Sequence, residues 1–180
     1  MQFKIIAAQD LDKNQCNQIA ELCFAAFDED PWSQYAFMQK AFHVVGILDD
    51  QIVSHALWTD RVFTINGSSD VKTAYVEYVT TDYTMRGKGL ASQLLKYLVE
   101  VLTDLEYELA ALQPEDEAFY KKLGWTTWWG DLYIKQDTST YLTDDYEIML
   151  YPLSIHMKDL LSHSSEDDSI CAEWREGEVW

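Results

Sequence analysis

Positive charge is what this chain has least of. Thirteen Lys and Arg stand against 31 Asp and Glu in 180 residues, a formal charge of −18 at pH 7. Such a balance argues against nucleic acid as a partner, because phosphate backbones reward Lys and Arg, and against docking on anionic membrane. The same field attracts and steers cationic small molecules, unless the acidity serves solubility alone. Cysteine is also scarce: Cys16, Cys23 and Cys171 form an odd set without a C-x-x-C, which excludes a disulfide framework and a zinc site of the usual spacing. Cys16 and Cys23, seven apart on an expected helix, share a face expected to be buried. His43, His55, His156 and His163 form no pair at ligand spacing, so a metal-free protein is expected. No apolar run approaches a membrane-crossing length, and the first residues carry no long apolar core of a secretion signal. A cytoplasmic location is therefore expected. No internal repeat or low-complexity run is present. With 48% hydrophobic residues, the chain can build one sizeable core, and residues 1–180 read as one domain.

The stretch from Ala74 to Leu102 carries the most information. It reads as a β-rich strand, a glycine-bearing turn and an amphipathic helix. In the turn Arg86-Gly87-Lys88-Gly89-Leu90-Ala91, the glycines let backbone N–H groups approach a ligand. The helix that follows directs its unpaired N–H groups and partial positive charge to the same place. Arg86 and Lys88 add full charges, and the ensemble suits a pyrophosphate. The phosphate loop of nucleotide triphosphatases, G-x-x-x-x-G-K-[ST], is absent. The dinucleotide fingerprint G-x-G-x-x-G is met only at Gly87 and Gly89.

Periodicity places the other elements. A strand over Phe3–Ala8 leads into a helix capped by Asp10 or Asp12 and running to about Phe27. The loop Asp28-Glu29-Asp30-Pro31-Trp32, whose Pro stops the helix, follows, and a second helix is expected over Ser33–Ala41. Strands follow at His43–Leu48 and Ile52–Thr64, with a turn at Asp49-Asp50-Gln51 and another at Asn66-Gly67. Lys72–Thr81 is the strand before the phosphate loop. After the amphipathic helix come a strand at Leu109–Leu112 and a helix over Glu115–Leu123 closed by Gly124. Trp125, Trp128 and Trp129 read as core or wall. Strands at Leu132–Lys135 and Tyr146–Leu150 are the last expected, and Ser162–Asp168 is a polar stretch.

The turn resembles the coenzyme A loop of the GNAT N-acetyltransferases, [QR]-x-x-G-x-[GA], which Arg86-x-x-Gly89-x-Ala91 meets at every specified position. The element order β-α-α-β-β-β-α-β-α-β-β is similar to that family's along nearly the whole chain. The resemblance implies an α/β fold with a central mixed, mostly antiparallel sheet, splayed between the strands at Val79 and Leu112 and flanked by helices. It also implies acetyl-CoA as co-substrate, without a metal. Val79, Thr80 and Thr81 would offer backbone groups to acetyl and pantetheine, with the Val79 N–H as oxyanion donor, and Arg86–Ala91 would hold the pyrophosphate. Glu77, two residues before Val79 and so expected on the same strand face, is the candidate base. Tyr120, four residues before Gly124-Trp125, resembles the family's thiolate acid.

The ending Cys171-x-x-Trp174-Arg175-x-Gly177-x-Val179-Trp180 resembles that of the aminoglycoside 2′-N-acetyltransferases, as do Tyr75-Val76-Glu77 and Thr143-Asp144-Asp145. That likeness implies an aminoglycoside as the cationic partner and a tail, 153–180, that completes the substrate site. Asp30, Glu77, Asp144 or adjacent Asp145, Glu178 and the Trp180 carboxylate would bind its ammonium groups. Glu178 stands where those enzymes end in Asp-Val-Trp, and Gln113-Pro114 replaces a run of small residues. A homodimer is expected by resemblance. A polyamine or protein N-terminus as acceptor stays open, as does a non-catalytic acyl-CoA sensor.

Overall fold

The computed structural model describes residues 1–34, 36–68, 70–143, 145–177 and 179–180, with no account of the side chains at 33, 34, 36 and 37. The chain divides into two compact units: one comprises Met1–Thr59 and Val76–Glu100, the other Asp60–Tyr75 and Val101–Trp180.

In the first unit, β1 (Gln2–Ala7), β2 (Phe42–Leu48) and the leading part of β3 (Gln51–Ile65) form an antiparallel meander. Helix α1 (Lys13–Phe27) starts on a capping box: Asp12 accepts from the Gln15 N–H, and Gln15 returns a bond to the Asp12 N–H. It ends at Asp28 with a left-handed φ of 58°. Ile19, Leu22 and Cys23 pack from α1 onto Val45 and Ile52. As expected, Cys23 is buried, and burial, with Asp30 and Glu29 nearby, pushes its thiol up to about 12; Cys16 is only half-buried. The expected second helix is shorter: α2 covers Pro31–Gln34, and Ala36–Lys40 is a 3-10 turn, with Tyr35 outside the described residues. The trailing part of β4 (Val71–Thr81) and the leading part of α3 (Leu90–Asp104) complete the unit. Phe3 of β1 stacks on Tyr97 of α3 at 5.5 Å. Gly46 makes room for this: a Cβ there would lie 2.3 Å from Ser54 Oγ and 3.1 Å from the Phe3 ring. Gly46→Ala should therefore cost ~1–3 kcal/mol by overpacking. A melting curve would show a fall of about 2–4 °C per kcal/mol, and an unchanged Tm would contradict the packing.

The second unit holds β5 (Leu109–Leu112), α4 (Glu117–Lys121), β6 (Thr126–Thr127), β7 (Asp131–Gln136), β8 (Ser139–Leu142), β9 (Met149–Pro152), α5 (Ile155–Ser162) and β10 (Ser169–Glu173). With the remaining parts of β3 and β4, its sheet runs β6-β9-β5-β4-β3-β10-β7-β8. β4 pairs with β5 in parallel from Thr73↔Leu109 to Tyr75↔Ala111, the last of their pairs. Asn66 and Gly67 both take positive φ, 53° and 65°, as the centre of a primed turn requires, and the Ser68 N–H closes that turn on the Ile65 carbonyl at 3.0 Å. The strand expected over Tyr146–Leu150 begins only at Met149, and it is not the last. Helix α5, capped by Ser154, and strand β10 follow, and β10 inserts antiparallel to β3 and parallel to β7. The helix after β5 is trimmed to Glu117–Lys121, because Asp116 caps it late. Trp125 and Trp128 are buried as expected, but Trp129 is 70% exposed. Among the described residues no helix is long and apolar enough to cross a membrane.

Candidate active site

A short hydrogen-bonded loop leads into the glycine turn. Asp82, next after β4, accepts from the Thr84 N–H at 2.7 Å and from its hydroxyl at 2.6 Å. These donors, with Arg86 and Lys88 close by, hold the Asp82 carboxyl below the usual range. A 3-10 turn over Tyr83–Met85 follows, and Arg86 returns its Nε–H to the Thr81 carbonyl at 3.3 Å. Gly87 and Gly89 take φ of 76° and 75°. A Cβ at Gly87 would meet nothing within 4 Å, so the glycine answers a backbone demand and leaves open space above it. α3 starts at Leu90, and its first N–H groups have no partner within the helix. Arg86, Gly87, Lys88 and Gly89 are exposed; Leu90 and Ala91 are half-buried. The predicted pyrophosphate loop is thus assembled as one local structure.

The strand that feeds the loop departs from regular extension at one residue. Tyr78 has φ +52°, a conformation unusual for a bulky L residue. Strict alternation does not carry across it, so the expectation that Glu77 and Val79 share a face on spacing alone loses its basis. Tyr78 is gripped at its ring and hydroxyl: Phe27 meets the ring edge-on at 5.5 Å, and the hydroxyl donates to Glu29 at 3.2 Å. Glu77 is half-buried and lies within 3.5 Å of the Thr59 hydroxyl, which donates to it. Val79 and Thr81 are half-buried, and Thr80 is buried.

The fully buried histidines His43 and His55 lie behind Tyr78. Sequence spacing gave no hint of a pair, but the β2–β3 register, Val45↔His55 and His43↔Leu57, sets them diagonally on neighbouring strands. His43 Nδ1 lies 2.9 Å from His55 Nε2, and His55 Nδ1 lies 3.2 Å from the Tyr78 carbonyl. Burial pushes His43 down to about 4 and His55 well below its usual value.

Asp30, a predicted substrate ligand, is exposed, and its Oδ1 accepts the Trp32 N–H at 3.1 Å at the start of α2. A cavity of about 440 Å³ opens in the same unit between α1, the β2–β3 turn and the loop after β4. Glu21, Asp49, Asp82 and Arg86 line it, so carboxylates outnumber cations there. Among the described residues no group of three or more His, Cys, Asp or Glu could hold a metal ion.

In the second unit, Tyr120 sits on α4 and is 9% exposed. Phe119 and Trp125 meet its ring edge-on at 5.0 and 6.1 Å. Burial first, then Glu115 and Asp116, push its phenol above the ordinary value of 10.0. Trp180 is buried; its indole N–H donates to Thr143 Oγ1 at 2.8 Å, and Phe63 crosses its ring at 5.7 Å. Arg61, absent from the sequence-based candidates, reaches the tail: its guanidinium donates to the Val179 carbonyl at 2.5 Å and the Glu173 carbonyl at 2.6 Å. Asp145 is exposed, and Asp144 and Glu178 lie outside the described residues.

Comparison with known proteins bears on this arrangement. Residues 4–128 match the family described as "Acetyltransferase (GNAT) domain". A curated relative named aminoglycoside 2′-N-acetyltransferase, from Mycolicibacterium fortuitum, is 25% identical over 98% of this chain and 91% of its own length. The solved GNAT family N-acetyltransferase YhbS from Escherichia coli, in complex with CoA, superposes with a TM-score of 0.63 at 16% identity, over 98% of this chain and 91% of that one. A probable N-acyltransferase from Enterococcus faecalis superposes with a TM-score of 0.58 at 19% identity over 72% of this chain, which spans only 33% of it.

Proposed function

We propose that this chain, which belongs to the GNAT acetyltransferase family, moves the acetyl group of acetyl-CoA to the 2′-amino group of an aminoglycoside. The observation that carries the substrate class is the likeness, along 98% of the chain, to an enzyme named for that activity. Acetyl-CoA as donor is supported by the family and by the CoA complex of the superposable E. coli structure.

Transfer needs no nucleophilic side chain. The substrate amine forms the new N–C bond, the C–S bond of the thioester breaks, and the proton lost by nitrogen balances the one gained by sulfur. In this reading the Val79 N–H stabilises the oxyanion. Glu77 takes the amine proton, directly or through water. Tyr120 protonates the departing thiolate, and its raised pKa keeps the proton in place at neutral pH. Arg86–Ala91 holds the pyrophosphate, with Val79, Thr80 and Thr81 along the acyl arm. Asp30, Glu77, Asp144, Asp145, Glu178 and the Trp180 carboxylate are the proposed ammonium ligands.

The decisive assay is thiol release from acetyl-CoA with tobramycin, which has a 2′-amino group, and kanamycin A, which has a hydroxyl there. Turnover with tobramycin and product NMR showing a 2′-acetamide are expected. Turnover with a polyamine but neither drug would keep the family and discard the substrate. The loop assignment is tested by Gly89→Glu, which places a side chain and a negative charge beside the pyrophosphate position. Acetyl-CoA affinity should fall by roughly tenfold or more. Unchanged affinity by calorimetry in a folded variant would remove the loop from the cofactor site.

A further inference from the structure

Tyr78 combines a strained backbone with a partner of unusual cost. A φ of +52° in a bulky residue persists only where surroundings impose it. Two fully buried imidazoles are expensive to desolvate, and apolar side chains at His43 and His55 would fill the same space without that cost. What they supply is direction.

The protons on this chain of rings follow from its last member. A carbonyl only accepts, so His55 Nδ1 must carry the hydrogen that meets the Tyr78 oxygen at 3.2 Å. Both rings are buried and neutral, so His55 Nε2 then bears a lone pair. The 2.9 Å contact between His55 Nε2 and His43 Nδ1 therefore takes its hydrogen from His43. The sequence of donors is His43 Nδ1–H to His55 Nε2, then His55 Nδ1–H to the Tyr78 carbonyl. A chain that ends on a carbonyl cannot pass a proton onward, so it does not serve as a shuttle. It fixes and polarises a peptide group.

That peptide is the one between Tyr78 and Val79. It is trans, since no described peptide bond is cis, and it is planar, so its C=O and N–H point in opposite directions. Holding the oxygen against His55 turns the Val79 N–H away from the histidines. Donation into the carbonyl also strengthens the N–H of the same amide as a donor, by about 10–30% in such chains. We infer that His55, backed by His43, is a positioning residue for acyl transfer, holding the Tyr78–Val79 peptide so that its N–H meets the thioester oxygen. The inference rests on the acetyl-transfer reading above, in which the Val79 N–H binds that oxygen.

The first test needs no variant. Imidazole ¹⁵N NMR of the wild-type protein should show both rings neutral with the hydrogen on Nδ1; a hydrogen on Nε2 of His55 overturns the chain. The second separates positioning from support. His55→Leu should lower kcat with tobramycin by about 10–100-fold, less than the 10²–10³ lost when an oxyanion donor is removed outright. Acetyl-CoA affinity should stay within about twofold of wild type, because the pyrophosphate loop is untouched. His55→Asn places an amide N–H near the position of Nδ1 and should recover at least about tenfold of the loss. A folded His55→Leu with wild-type kcat overturns the inference, as does an Asn variant no better than Leu. Wild-type protein that binds no acetyl-CoA, with the tautomers as expected, overturns the acetyl-transfer reading and the role built on it. Wild-type protein that binds acetyl-CoA but carries the other tautomer overturns the positioning chain alone.

Discussion

Replacing Tyr120 with Phe is expected to slow turnover by ~10²–10⁴-fold, the usual contribution of a positioned general acid. Acetyl-CoA affinity should change little, because the aromatic ring and its edge contacts with Phe119 and Trp125 survive the loss of one oxygen. The pH profile adds a second signature. Burial raises the phenol above 10.0, so the acid is still protonated well past neutrality, and kcat should show no descending limb from this group below that pH. The stability of the fold follows the same sign. Any stabilisation from the raised pKa is fully present below 10.0 and is lost as pH climbs through the folded-state value, so the Phe variant should be less sensitive to strongly alkaline pH. Wild-type turnover by Tyr120→Phe, measured where chemistry limits the rate, would take Tyr120 out of the mechanism.

Arg61→Met should cost about 3 kcal/mol or more, since charge-assisted hydrogen bonds are worth ~1.5–3 kcal/mol each and two are lost here, at the carbonyls of Glu173 and Val179. Phe63, Tyr75 and Trp180 surround the guanidinium at 5.7, 5.3 and 5.8 Å, so cation–π attraction in a dry setting is lost as well. For a chain of this size the Tm should drop by roughly 6–12 °C, and residues 174–180 should become open to carboxypeptidase. Arg61→Lys should restore little, because one ammonium cannot span both carbonyls as a planar fork does. A variant that melts like the wild type and keeps a protected tail would show that Arg61 does not hold it.

The parts of this molecule that sequence exposes are those whose physics is local. Gly87 and Gly89 sit where positive φ is needed, Asp12 caps α1, and Asn66-Gly67 turns a hairpin, each within a few residues of its cause. What stays hidden depends on register. Nothing in Tyr75-Val76-Glu77-Tyr78-Val79 announces that its second tyrosine leaves the β region, because the groups it meets, Phe27, Glu29 and His55, lie far away in the chain. His43 and His55, twelve residues apart, match no motif until β2 and β3 pair. β10 stays hidden for a similar reason: Ser169–Glu173 is short, and its alternate burial of Ile170 and Ala172 has meaning only beside β3 and β7. The tail was singled out through likeness to a family, and the sequence did not disclose that the Trp180 indole is packed inside while Asp30 caps α2.

The chain leaves the first unit at Thr59 and re-enters it at Val76 before that unit is finished. On a ribosome, the first unit has all its residues once Glu100 has been made. Residues 60–75 must then wait for β5 and β10, which β4 and β3 pair with in the second unit. At 5–20 residues per second, making residues 101–180 takes roughly 4–16 s. Throughout that interval Phe63, Ile65, Val71 and Tyr75, all buried in the finished protein, belong to a β3–β4 hairpin whose outer partners, β10 and β5, do not yet exist. No single cut can separate the two units intact either. Aggregation during expression should therefore respond to translation speed and chaperone supply, and fragments ending near residue 100 should be far less soluble than the whole chain.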